Sequence, residues 1–92
     1  MIDELKKRKT EILRIAEQYG AKDIRIFGSF ARGEDNATSD ADFLVKMEGS
    51  LLKRIAFTQE LEALLGRKVD IVTERSIHWF VRDRILQEAV PL

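Results

Sequence analysis

The apolar residues Ile2, Leu5, Ile12, Leu13, Ala16 and Tyr19 recur near the helical period, with lysines and glutamates between them. Gly20 follows as a stop signal, so the pattern predicts one amphipathic helix over residues 2–19. Asp23 to Phe27 alternates and is β-branched, the mark of a short strand, and it runs into Gly28-Ser29. Phe30-Ala31-Arg32 has the length of one helical turn, and Gly33 to Ser39 is dense in turn formers. Asp40 to Met47 predicts a second strand, closed by Gly49-Ser50. Leu51 to Leu65 predicts a helix with Leu52, Ile55, Ala56, Phe57, Leu61, Leu64 and Leu65 on its apolar face, ended by Gly66. Lys68 to Thr73 predicts a third strand. Ser76 is placed to cap a last helix reaching about Ala89, with Ile77, Phe80, Val81, Ile85 and Leu86 apolar.

The predicted order is αββαβα, an α/β (α+β) fold with a small mixed or antiparallel sheet flanked by helices. Helices on one face of the sheet would be the simplest cover for these apolar surfaces. At 92 residues the expectation is a single domain, 1–92, with one modest core. A large substrate-binding lobe would have to come from another chain.

Composition narrows the chemistry. Sixteen Lys+Arg balance sixteen Asp+Glu, which argues against nucleic-acid binding driven by bulk positive charge and makes nucleic acid an unlikely direct ligand. With no cysteine and one histidine, disulfide scaffolds, Cys-based zinc sites and His-rich metal sites are excluded. Any metal must be a hard cation held by carboxylates. The charged N-terminal stretch has no signal-peptide pattern, and no run approaches the roughly 20 apolar residues that span a bilayer. A soluble, cytoplasmic protein away from membranes is expected.

Asp40 and Asp42 sit two apart at the start of a predicted strand, so both carboxylates leave one face while Ala41, Phe43 and Val45 leave the other. Adjacent carboxylates raise each other's pKa unless a cation lies between them. Oxygen-only ligands favour magnesium or manganese over zinc. Asp70 is an acid centred in an apolar strand between Val69 and Ile71. If that strand lies beside the Asp40–Asp42 strand, three carboxylates converge, enough for a two-metal site. Taken singly, Asp-x-Asp reads as a loop or cap pair, and Asp70 as a partner for a nearby Lys or Arg such as Lys68.

Gly28-Ser29, at the end of one strand and ahead of a helical turn, has the form of an anion cradle. Gly28 would let a phosphate approach the backbone, Ser29 would donate to a phosphate oxygen, and Arg32 would add charge. Alone, the pair reads equally as a turn with a capping serine.

Together, Gly28-Ser29, ten residues, Asp40-x-Asp42 and a later Asp70 in Val-Asp-Ile-Val resemble the polymerase-β-type nucleotidyltransferase superfamily. The resemblance is to its minimal prokaryotic branch, the antitoxin partners of HEPN-type toxins. It extends to Arg32-Gly33 and to the closing Ile85-Leu-Gln-Glu-Ala-Val90, and so over nearly the whole chain. One departure is Ala41-Asp42-Phe43, where relatives more often carry an aliphatic pair around the second Asp.

The resemblance implies transfer of a nucleoside monophosphate from ATP or another triphosphate to an acceptor hydroxyl, with release of pyrophosphate. Asp40 and Asp42 would hold two magnesium ions, manganese being the alternative. Asp70 would join the second ion and help activate the hydroxyl, and Ser29 with the Gly28 backbone would grip the distal phosphates. The acceptor it implies is a HEPN ribonuclease toxin, neutralised by attachment of AMP. The alternatives are a non-catalytic antitoxin that inhibits by occlusion, and a nucleotidyltransferase for a small molecule or an RNA end. In the last helix, Trp79 and His78 are expected to be exposed, and Trp79 with Phe80 is a candidate docking surface; Phe80, Val81 and Ile85 read equally as core.

Overall fold

The computed structural model describes residues 2–92. The predicted first helix is two: α1 (Ile2–Lys7) and α2 (Lys9–Gln18), separated at Arg8 with φ −99° and ψ 12°. Lys6, Lys7, Arg8 and Lys9 crowd four cations into one turn, and like charges three or four apart weaken a helix there. The apolar stripe survives the break, because Leu5, Ile12 and Ala16 are all buried.

Four strands form one mixed sheet: β1 (Lys22–Phe27), β2 (Ala41–Lys46), β3 (Val69–Thr73) and β4 (Val90–Pro91), in the order β3-β2-β1-β4. β1 runs antiparallel to β2 and β4, whereas β2 and β3 are parallel. Parallel neighbours need a crossover, and α4 (Leu51–Leu65) supplies it. Ser50 caps α4 by accepting from the Lys53 amide at 3.2 Å, and Gly66 ends it in the left-handed region at φ +67°. The two-residue β4 was not predicted. Its Pro91 pairs with Arg25 on the sheet edge, where a missing N–H costs no ladder bond.

Between β1 and β2, Ser29–Arg32 forms the single turn α3. The last helix, α5, spans Trp79–Glu88 and is capped by His78, whose Nδ1 accepts from the Phe80 amide at 3.2 Å. Ser76, expected as that cap, instead exchanges hydrogen bonds with Thr73: the Thr73 amide donates to its Oγ at 3.1 Å, and its own amide donates to Thr73 Oγ1 at 3.2 Å. Ile77, buried against the sheet, occupies the interval between that turn and the helix.

Helices cover both faces of the sheet rather than one. On the first face Ile26, Phe43, Val45 and Ile71 pack with Leu5, Ile12, Phe30, Phe57 and Leu61, and Tyr19 stacks on Phe57 with ring centroids 5.6 Å apart. On the second, Phe27, Leu44 and Ile77 form a smaller cluster with Val72, Val81, Ile85 and Leu86 from β3 and α5. Leu52 and Ile55 were expected on the packed face of α4 but are 77% and 43% exposed. At about 100° per residue they lie roughly 140° and 200° around the helix from Phe57. Phe80 stands likewise about 140° from Ile85, and is exposed beside Trp79. Among the described residues, no helix is long and apolar enough to cross a membrane.

Candidate active site

The parallel register sets Asp42 directly opposite Asp70, between the pairs Ala41–Val69 and Phe43–Ile71. Alternation puts the flanking residues into the first core and both carboxylates on the second face, in line with Leu44 and Val72. Asp40 lies two residues ahead of Asp42, just before β2, and is exposed like Asp70, whereas Asp42 is half-buried.

Burial is the main reason that the Asp42 carboxyl is pushed up to about 6. The charges of Asp70 and then Asp40 push it the same way, Glu88 adds to them, and Arg32 opposes. Asp42 therefore lies within the field of both other acids. Lys68 does not neutralise Asp70, which has no ion-pair partner among the described residues. Nor, among the described residues, are three acidic or imidazole side chains already gathered into an ion cage. The arrangement concentrates negative charge at the open end of one sheet face, and what it can do chemically is attract and hold positive charge.

Gly28 and Ser29 abut this cluster because β1 ends opposite it, with Phe27 paired to Asp42. Gly28 has φ +74° and ψ −152°, a region essentially reserved for glycine. A Cβ there would overlap Asp42 Oδ2 and lie 3.0 Å from Cγ. The turn is closed by the Arg32 amide on the Gly28 carbonyl at 3.1 Å and the Glu34 amide on the Ser29 carbonyl at 2.9 Å. Phe30, 1% exposed, anchors it in the core. The Ser29 side chain is half-buried, and among the described residues its hydroxyl has no hydrogen-bond partner.

Arg32 is within the field of Asp42, and it already carries two acidic partners. Its Nε donates to Glu34 at 3.0 Å and its Nη1 to Glu88, the last residue of α5. These bonds, Glu34 first, raise the guanidinium pKa further above its usual value.

Sequence reading missed two residues. Glu88 was legible only as part of the closing helix. Arg67, just past the Gly66 stop, lies over the Phe30 ring at 4.7 Å and donates through Nη1 to the Ser39 carbonyl at 2.9 Å and the Asn36 carbonyl at 3.2 Å. The loop it grips is folded on itself, the Thr38 amide donating to Asn36 Oδ1 at 2.9 Å and the Asn36 amide to Ser39 Oγ at 2.8 Å. Arg67 thereby links the Gly-Ser turn to the approach of Asp40. No spacing in the sequence signals this.

Comparison with known proteins matches residues 6–92 to the family model described as a nucleotidyltransferase domain. A Methanocaldococcus jannaschii relative assigned by name as a protein adenylyltransferase is 49% identical over 84 residues, covering 89% of this chain and 90% of its own. The protein adenylyltransferase MntA of Thermococcus cleftensis is 42% identical over 78 residues, covering 83% and 79%. A solved minimal nucleotidyltransferase superposes with a TM-score of 0.84 at 42% identity, over 96% of this chain and 92% of that one. A toxin–antitoxin structure with AMP-PNP shares the fold, with a TM-score of 0.78 at 22% identity over 89% and 69%. A family match that takes in the sheet, the Gly-Ser turn and all three acids, joined by near-half identity over most of a relative's length, makes this chain a member of the nucleotidyltransferase family.

Proposed function

We propose that this nucleotidyltransferase transfers AMP from ATP to a hydroxyl of a partner protein, releasing pyrophosphate. We further propose that the partner is a HEPN-type ribonuclease toxin and that modification neutralises it. The observation that carries the reading is the Asp42–Asp70 register, which sets two acids at the open end of one sheet face beside the Gly28–Ser29 turn. The names of the two relatives support AMP as the group moved and protein as the acceptor class. The toxin as partner follows from the resemblance to the minimal branch.

The donor set fits a hard divalent cation such as magnesium or manganese: it offers carboxylate oxygens without thiol or imidazole, and burial, with the charges of Asp70 and Asp40, pushes the Asp42 carboxyl up to about 6, a cost that a bound cation would relieve. When bound, such ions supply charge neutralisation for the triphosphate and the departing pyrophosphate, and Asp40, Asp42 and Asp70 are the residues that would hold them. Ser29 Oγ donates to a phosphate oxygen, and the bare Cα of Gly28 lets the phosphates approach the backbone. Arg32 offsets phosphate charge at the rim. The acceptor oxygen attacks the α-phosphorus, the bond to the bridging oxygen breaks, and pyrophosphate leaves with that electron pair. Asp70 takes the hydroxyl proton. Such transfer asks for positioning and charge neutralisation more than for covalent help from protein.

The test is incubation with α-labelled ATP, magnesium and the product of the neighbouring gene. Label on that protein supports the reading. Tight complex formation without label supports inhibition by occlusion, and label on an RNA end or small molecule redirects the acceptor.

A further inference from the structure

Glu88 stands where electrostatics disfavours a carboxylate. It is the last residue of α5, whose C-terminal carbonyls repel negative charge. It also adds to the field that raises Asp42. Its side chain is only 15% exposed, although α5 contributes no fully buried residue. What answers these costs is one contact, the ion pair with Arg32, 56 residues away.

From this geometry we infer that Glu88 is a positioning residue for the nucleotide, holding the Arg32 guanidinium at the rim of the acidic cluster. Arg32 Nε is taken by Glu34 and Nη1 by Glu88, while Nη2 has no partner among the described residues. A guanidinium fixed by two carboxylates meets the triphosphate already oriented, so less side-chain freedom is lost when the nucleotide arrives. Without Glu88 the side chain, 39% exposed, keeps only Glu34, itself 65% exposed, and the pair can swing toward solvent together. Because α5 ends at this pair, the second face of the sheet and the phosphate turn share one anchor. The inference rests on the function proposed above and adds a residue to it.

The test measures the Kd of magnesium–ATP, with KM and kcat for label transfer, in the wild type, Glu88→Ala, Glu88→Gln, Arg32→Ala and the Arg32→Ala/Glu88→Ala double variant. Glu88→Ala is expected to raise Kd and KM about tenfold with kcat changed less than about threefold, the signature of lost ground-state binding. Glu88→Gln, which keeps a hydrogen bond to the guanidinium, should recover most of the loss. Glu88→Ala added to Arg32→Ala should cost nothing further, since the two act as one unit. The inference is overturned if Glu88→Ala leaves Kd unchanged, tightens it, or weakens it equally in the Arg32→Ala background. It is overturned too if kcat falls with the melting temperature while KM stays fixed. A wild type that neither binds ATP nor transfers label sinks the proposed function itself, and this inference with it. An active wild type with silent Glu88 variants sinks only this one.

Discussion

The backbone of Gly28 lies against the carboxylate of Asp42. A methyl group on Gly28 would overlap Oδ2 and stand 3.0 Å from Cγ and 3.3 Å from Cβ. Turn and acid therefore meet with no room for a side chain between them. Gly28→Ala adds a steric clash to a φ of +74° that L-residues rarely adopt. The expected cost is about 1–3 kcal/mol of stability, with transfer reduced at least about a hundredfold because Asp42 is displaced. Thermal melts and label transfer on the same preparation check both. A variant with full activity would place the phosphates elsewhere.

Asp42→Asn should abolish transfer and stabilise the metal-free protein. The sign follows from the direction of the shift. A carboxyl whose folded pKa is about 6, above roughly 3.9 when unfolded, is bound more tightly to its proton in the fold. Its contribution is fully present below about pH 4 and is lost as pH rises through about 6. Discounted for half exposure, the loss at neutral pH is of order 1 kcal/mol, or about 4–8 °C in melting temperature for a chain this size. The gap between Asp42→Asn and wild type should open between pH 4 and 6 and be near zero below it. A pH-independent gap would refute the assignment.

Magnesium with a non-hydrolysable ATP analogue should raise the wild-type melting temperature, by the equivalent of about 2.7 kcal/mol at a hundredfold excess over Kd. The same addition should do little for Asp42→Asn, and chelation should reverse the wild-type gain. Equal protection of both proteins would mean that the ligand binds away from the acids.

Arg67→Ala removes a guanidinium that holds two carbonyls of the 33–40 loop and stacks on Phe30. Transfer is expected to fall about tenfold or more, with a stability cost of roughly 1–3 kcal/mol from the carbonyls left unpaired. Arg67→Lys should rescue poorly, because an ammonium has neither the fork nor the plane. Recovery of wild-type kcat by lysine would show that only charge matters at this position.

Much of the fold was legible because its signals are local. The α4 helix, the three longer strands and both glycine stops follow from spacing. Asp42 and Asp70 were legible for the same reason, since an acid in an apolar alternating strand must leave the face its neighbours bury. What escaped was set by contacts across the chain. The two residues of β4 are strand only because β1 offers an edge. Ser76 lost the cap to His78 because Ile77 is drawn into the second cluster. The partner of Arg32 escaped because Glu88 is far away in sequence, and Arg67 escaped because its carbonyl partners precede it by about thirty positions.

The parallel pairing of β2 with β3 also makes chain length between them a determinant of chemistry. Side chains alternate by twos, so deleting one residue from the Gly66–Lys68 connection would move Asp70 into the place of Val69 and flip every β3 side chain to the other face. The carboxylate would then point into the hydrophobic interior, and Ile71 would take its place opposite Asp42. Glu62 guards this phasing, its Oε2 accepting from the Val69 amide at 3.1 Å where β3 begins. Insertions should accordingly be tolerated far less in that connection than at a surface turn, whatever residues they bring.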